Sequence, residues 1–229
     1  MARAPRIRRR PWALGSHTLV LAGLSTAALA GCAKVGEDVF SKETAPFDEP
    51  IRHWVLTHRS GVADDVFLLA TRLGGPSVVI PFSAAVGIWL RAQRNLPIAG
   101  AVMVAPATAL ALFMSIKRLY RRPRPAGALA HGEKTYSFPS GHSAASAAVF
   151  GTLAYVLWRE EMLGAPEAFA LASIPPLLIG TSRVYLDVHY ATDVLGGWSV
   201  GSVVTAMSAV VYERVRVLTK RKGRPVGRR

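Results

Sequence analysis

Cysteine is almost absent from this sequence: Cys32 is the only one. An intrachain disulfide and a cysteine-cluster metal site are therefore excluded. Acid is also scarce, with 14 Asp and Glu against 28 Lys and Arg, and no carboxylate cluster is available to hold a divalent cation. Charged residues are only 18% of the 229, against 51% hydrophobic. No internal repeat or low-complexity tract stands out. The length suits one domain.

The charge that exists is concentrated at the ends, and long apolar runs lie between. Five arginines fall in the first ten residues (Arg3, Arg6, Arg8, Arg9, Arg10), and eight Lys and Arg lie from Arg214 onward. A net charge of +14 first suggests nucleic acid. The placement argues against it. Both clusters flank apolar segments, where cytoplasmic positive charge orients a membrane protein and attracts anionic lipid.

The apolar pattern gives six expected spans, over residues 12–33, 76–90, 96–116, 140–158, 166–182 and 191–212. A run of about 20 residues crosses the hydrocarbon core at 1.5 Å per residue. Pro106 lies inside the third span, where neighbouring helices can re-satisfy the freed carbonyl. Pro175 and Pro176 predict a kink in the fifth. Residues 34–75 read as two short amphipathic helices, starting near Asp48 and near Asp64, either on the outer membrane surface or packed on the bundle. The fold class is thus all-α, a polytopic bundle with interfacial helices. Its expected parts are a basic cytoplasmic N-terminus (1–11), the first helix (12–33), the amphipathic segment (34–75), the main bundle (76–212) and a basic cytoplasmic tail (213–229) whose end is disordered.

Leu29-Ala30-Gly31-Cys32 also resembles a bacterial lipoprotein signal. A first membrane helix ending in small residues is the preferred reading, and under both readings residue 33 onward starts outside the cytoplasm. With the N-terminal arginines inside, the loops at 91–95 and 159–165 are cytoplasmic. The loops at 117–139 and 183–190 face the periplasm or exterior. Those outer loops are basic, against the positive-inside tendency. Arginines that must meet a substrate explain the exception.

Three polar clusters sit at span ends on that outer side. They are Lys117-x6-Arg124-Pro125, Pro139-Ser140-Gly141-His142, and Ser182-Arg183-x5-His189-x3-Asp193. Lys117, Arg124 and Arg183 can neutralise a phosphate, the arginines through a planar fork. Ser140 and Gly141 open a helix, whose N–H groups and dipole favour an anion, and glycine lets it approach the backbone. His189 and Asp193 are one helical turn apart, so the acid can hold one imidazole nitrogen while the other attacks phosphorus. His142 is placed to protonate the leaving oxygen.

These three blocks, in this order, resemble the type 2 phosphatidic acid phosphatase family, related to the vanadium haloperoxidases. The resemblance covers roughly residues 50–212. It implies phosphate binding by Lys117, Arg124, Ser140, Gly141 and Arg183. It makes His142 the general acid, His189 the nucleophile and Asp193 its orienting partner, with a phosphohistidine intermediate and no metal or other cofactor. The implied enzyme is a lipid phosphate or diphosphate phosphatase of a bacterial inner membrane. Its partners are the lipid phosphate and membrane lipids, not nucleic acid, and its oligomeric state is left open. Phosphatidic acid, phosphatidylglycerol phosphate and undecaprenyl diphosphate all fit a site at the outer interface.

Two alternatives stand beside this. A vanadate-dependent peroxidase is disfavoured by six spans and short loops. A transporter or scaffold on the same bundle is disfavoured because no site residue is missing. Arg122-Pro123 is a second Arg-Pro pair, but the spacing from Lys117 selects Arg124, leaving Arg122 as a surface or headgroup charge. Asp187 reads as a loop residue, and His17, His53, His58 and His131 receive no role. Trp54, Trp89, Trp158 and Trp198 fall near span ends, which suits interfacial anchoring. Gly197-x-x-x-Gly201 reads as a helix-packing motif.

Overall fold

A computed structural model describes residues 14–94, 98–132 and 134–222. The basic N-terminal segment and the end of the basic tail lie outside these. Among the described residues the chain forms eight α-helices and one 3-10 turn, with no strand. The helices are α1 (Leu14–Phe40), α2 (Ala45–Thr57), α3 (Gly61–Leu73), α4 (Pro76–Arg94), α5 (Ile98–Tyr120), α6 (Gly141–Arg159), α7 (Ala165–Tyr185) and α8 (Ala191–Lys222). The 3-10 turn is Ala126–His131. By length and composition, Ala191–Arg216 is long and apolar enough to cross a membrane.

Each expected segment is helical, with shifted ends. Each of the six long helices has a described C-terminal end past its expected one. The largest extension is α8, which runs ten residues beyond 212, and Tyr212, Glu213 and Arg216 in it bond to the C-terminal end of α6 and to Glu160 just past it. The first amphipathic helix starts at Ala45 rather than at Asp48, which sits in its first turn. The second starts at Gly61, where the Ser60 side chain accepts from Ala63 N–H at 3.4 Å, so the cap is Ser60 and not the Asp64 region. Pro175 and Pro176 lie inside the continuous α7.

Helix α6 is the centre. Its small residues let its neighbours approach closely. Ala148 packs with Ala105 and Ala109 of α5 and Val204 of α8. Ala145 and Val149 meet Val79 of α4, while Ala144 joins Phe113 of α5 and Val200 of α8, with Cys32 of α1 against that cluster. The glycine pair does what its spacing predicts. A Cβ on Gly197 would lie 2.5 Å from the Ser140 carbonyl oxygen, and one on Gly201 would lie 2.6 Å from the Ala144 oxygen. Only glycine lets α8 lie this close to the α6 backbone.

Helix α6 has polar groups fixed at both ends. At its C-terminal end Arg159 Nε donates to Glu213 at 2.5 Å, Tyr155 donates to the same carboxylate at 3.0 Å, and Glu160 accepts from Tyr212. At its N-terminal end are Ser140 and His142. Nineteen residues separate these polar layers, a rise of about 28 Å. That is close to the hydrocarbon thickness of roughly 30 Å.

Helices α2 and α3 cover the C-terminal end of α7, and α2 also reaches the start of α8. Phe67 and Leu68 of α3 and Val55 of α2 pack on Tyr185, Leu186 and Val188. Trp54, Val62, Val66, Leu69 and Leu73 are exposed on these two helices. The segment thus packs on the bundle and still presents apolar side chains outward. Trp198 corrects the reading of tryptophans as interfacial anchors. Its Nε1 donates to the Pro176 carbonyl at 3.0 Å and its ring presses on Gly180, so it joins α7 to α8.

Candidate active site

The three sequence blocks meet at one end of the bundle. Lys117 closes α5, Arg124 lies in the loop that follows, Ser140 caps α6, Arg183 ends α7, and His189 and Asp193 straddle the start of α8. Backbone bonds tie the blocks together. Ser140 N–H donates to the Asp193 carbonyl at 2.9 Å. The N–H groups of Val188 and His189 both donate to the Arg183 carbonyl at 3.1 Å.

His189 is buried, and both of its ring nitrogens face charged groups. Nδ1 lies 3.3 Å from Asp193 Oδ2, and Nε2 lies 3.1 Å from Arg124 Nη1. An arginine can only donate, so Nε2 is the acceptor. A carboxylate can only accept, so Nδ1 carries the proton. The neighbours thereby select one tautomer, with the lone pair on the nitrogen away from Asp193.

Asp193 is fully buried and bonded on both oxygens. Oδ2 also accepts from Tyr190 N–H at 2.9 Å, and Oδ1 accepts from Arg122 at 2.7 Å and from the Ser137 hydroxyl at 3.4 Å. The charge is thus compensated where it could not be hydrated.

Arg124 is aimed by its own loop. Nη1 donates to the Val188 carbonyl at 2.8 Å, Nε to the Thr135 carbonyl at 2.6 Å, and Nη2 to the Thr135 hydroxyl at 3.1 Å. Lys117 is buried, and its ammonium donates to the Tyr136 carbonyl and to Ser137 O at 3.3 Å. Arg183 is buried and donates from Nη1 to the Thr71 hydroxyl at 2.6 Å. The Ser140 hydroxyl accepts from Ser143 at 3.0 Å. Gly141 has a packing role as well, since a Cβ there would meet the Phe113 ring at 2.9 Å. His142 turns toward the α3–α4 junction, its Nε2 3.8 Å from where a Cβ on Gly75 would stand.

Two residues require correction. Arg122 is not a surface charge. Its guanidinium spans four groups: Asp193 at 2.7 Å, Thr192 Oγ1 at 2.8 Å, Thr44 Oγ1 at 2.8 Å and Asp48 Oδ2 at 2.7 Å. Burial works against its charge, and Asp193 and Asp48 more than offset that, holding the group above its ordinary range. The Tyr190 ring lies 4.3 Å beneath it, with its phenol pushed up mainly by burial and so kept neutral. Asp187 is not a bare loop residue. It is buried, with φ of 53°, and accepts from Arg52 Nε and Nη2 at 2.7 and 3.0 Å and from Gly127 N–H at 3.0 Å.

Helix α2 therefore reaches the site twice, through Asp48 and through Arg52 one turn later. Asp48 is 1% exposed and also accepts from Thr192 N–H at 3.0 Å and from its hydroxyl at 2.7 Å. The second Arg-Pro pair and the acidic helix start at Asp48 were visible in the sequence. Neither had an assigned partner in sequence. Among the described residues no three His, Cys, Asp or Glu side chains group as a metal cage.

Comparison with known proteins places the chain in a family. The chain is 32% identical over 172 residues to phosphatidylglycerophosphatase B of Bacillus subtilis, covering 74% of this chain and 85% of that protein. It is 29% identical over 150 residues to an undecaprenyl-diphosphatase of Sulfolobus acidocaldarius, covering 64% and 68%. The crystal structure of a transmembrane PAP2-type phosphatidylglycerolphosphate phosphatase from Bacillus subtilis superposes with a TM-score of 0.76 at 27% identity, covering 83% of this chain and 96% of that one. The profile of the PAP2 superfamily matches residues 95–216, from before Lys117 to beyond Asp193, and with a helical bundle that brings all three polar blocks to one end, the chain belongs to that superfamily.

Proposed function

We propose that this protein is a multi-pass membrane phosphatase that removes a phosphoryl group from a lipid phosphate or diphosphate at the periplasmic or outer face. The observation that carries the reading is the selected tautomer of His189. The lone pair of Nε2 points at a phosphate-binding guanidinium, while Nδ1–H is held by Asp193.

In the first step Nε2 forms a bond to phosphorus as the bond from phosphorus to the lipid oxygen breaks. Asp193 stabilises the positive ring. His142 gives its proton to the departing oxygen. In the second step water attacks the phosphohistidine, His142 takes the water proton, and phosphate and neutral His189 are released. Lys117, Arg124, Arg183 and the first turn of α6 at Ser140 and Gly141 neutralise the phosphoryl oxygens as charge builds. These groups supply the electrostatic stabilisation that a metal ion gives other phosphatases. The six long helices cross the membrane, and the apolar faces of α2 and α3 lie in the outer interface, where a headgroup meets the site without leaving its leaflet.

The relatives are named for different lipids, a phosphatidylglycerol phosphate and a polyprenyl diphosphate. The discriminating experiment is phosphate release by purified protein from a panel of phosphatidic acid, phosphatidylglycerol phosphate and undecaprenyl diphosphate, in detergent, without added metal. Turnover of at least one member, lost in His189→Ala, is the expected result. Inactivity across the panel, or full activity of His189→Ala, overturns the proposal.

A further inference from the structure

The catalytic arrangement above leaves one buried ionic cluster unexplained. Arg122 lies between two buried carboxylates, Asp193 on α8 and Asp48 on α2, at 2.7 Å from each. A buried ion pair is weak evidence for stability, because desolvation cancels much of the attraction. Its value here is geometric. The two nitrogens of a planar guanidinium are fixed relative to each other, so anchoring one edge on Asp48 and Thr44 sets the direction of the other edge toward Asp193. Arg122 bonds Oδ1 of Asp193, leaving Oδ2 for His189 Nδ1.

We infer that Arg122 and Asp48 are positioning residues that act through Asp193 to fix the rotation of the His189 ring, making helix α2 part of the apparatus that aligns the nucleophile. This rests on the reading of His189 as nucleophile. Thr192 strengthens the case, because its N–H and hydroxyl both bind Asp48, and it immediately precedes Asp193. Asp48 thus fixes Asp193 from two sides, through its backbone neighbour and through Arg122. The Arg52–Asp187 pair on the next turn of α2 is bonded to the Gly127 loop and not to Asp193 among the bonds of the site, so the two contacts of α2 are separable.

A double-mutant cycle with the full-length purified protein tests this. Arg122→Met, Asp193→Asn and the double variant are compared by kcat and KM on a dioctanoyl lipid phosphate. Losing the group that orients a metal-bound histidine costs about 10- to 100-fold in activity, and a loss of that size is taken here for the group that orients Asp193. That loss is expected in kcat for Arg122→Met, with KM changed less than about threefold. In the Asp193→Asn background the same substitution should cost less than about threefold, because the route to His189 is already cut. Arg122→Lys, which keeps the charge without the fork, should restore only part of kcat. If Arg122→Met does not fold, the isosteric Asp48→Asn carries the same test, with a loss of roughly 3- to 10-fold that again disappears beside Asp193→Asn. Equal losses in both backgrounds, or a loss confined to KM, overturn the inference. Retained activity of His189→Ala would instead overturn the nucleophile assignment beneath it.

Discussion

Arg124 Nη1 stands 3.1 Å from Nε2 of His189, the ring nitrogen turned away from Asp193. The residue proposed to bind the phosphoryl oxygens therefore touches the atom proposed to attack phosphorus. A phosphoryl group held on this guanidinium is already beside the lone pair, and positioning of this kind removes much of the entropic cost of attack. The same contact forces the proton onto Nδ1.

That tautomer gives a first prediction. Asp193→Asn keeps the size of the side chain but can present its amide N–H to the ring, which favours the proton on Nε2 and removes the nucleophilic lone pair. The loss in kcat should approach the roughly 10⁴-fold known for the wrong histidine tautomer in a catalytic triad. KM should change little, since Asp193 is fully buried and bonded to the His189 ring, out of reach of the substrate. A loss seen mainly in KM would show that Asp193 serves substrate binding instead.

Helix packing gives the second. A Cβ on Gly201 would sit 2.5 Å from Ala147 Cβ and 2.6 Å from a backbone oxygen, so Gly201→Leu must force α8 away from α6. Overpacking of this kind costs about 1–3 kcal/mol or more. The thermal midpoint in detergent should fall by several degrees, and activity should fall with it because Asp193 rides on α8. At Gly23, where nothing lies within 4 Å, the same change should leave the midpoint within about a degree. Equal shifts at both positions would remove the close approach as the cause.

Helix number and order were legible in the sequence because hydrophobic runs are long and charges punctuate them. The ends were less so. Ser60 caps α3 in place of the acidic pair, and α8 continues to Lys222, with Glu213 and Arg216 bonded to Tyr155 and Arg159 across to α6. The three site blocks were legible because each is local, His189 and Asp193 most clearly. Arg122 and Asp48 were not. Their relation joins residues 74 apart, and no periodicity encodes which of two neighbouring arginines turns inward. Spacing from Lys117 selected Arg124 and left Arg122 outside, whereas Arg122 is bonded to Asp193 and Asp48.

A third prediction concerns metal. In the proposed site Lys117, Arg124 and Arg183 supply the positive charge for the phosphoryl group, a role Mg²⁺ fills elsewhere. Activity should survive excess EDTA with less than about a twofold change. Vanadate should inhibit competitively, because its trigonal-bipyramidal form resembles the phosphoryl transition state. Loss of activity in EDTA that Mg²⁺ restores would require a different account of charge neutralisation.

The fourth concerns topology. Cys32 is half-buried against α5, α6 and α8, so a Cys32→Ser background is suitable for added single cysteines. Cysteines placed at Lys134 in the α5–α6 loop should react with an impermeant maleimide in intact cells whose outer membrane, if present, is permeabilised. Cysteines at Glu161, between α6 and α7, should react only after lysis. The reverse pattern would put the site on the cytoplasmic leaflet and change the substrate pool.

The fifth separates the two histidines. His189 has an acid four residues on, bonded to its ring at Nδ1. His142 lies at the start of α6, its Nε2 near Gly75. His189→Ala should therefore abolish turnover of every substrate. His142→Ala should reduce turnover of a lipid alkoxide leaving group by roughly 10²–10⁴-fold, the usual worth of general-acid help. With p-nitrophenyl phosphate, whose leaving group hardly needs a proton, the loss should be far smaller if phosphorylation limits the rate. Rapid quench with labelled substrate distinguishes the remaining case. Label accumulating on His142→Ala shows that water activation in the second step has become limiting, and no label should appear on His189→Ala. Label on His189→Ala would move the nucleophile elsewhere, and equal losses for both leaving groups would remove His142 from the proton transfer.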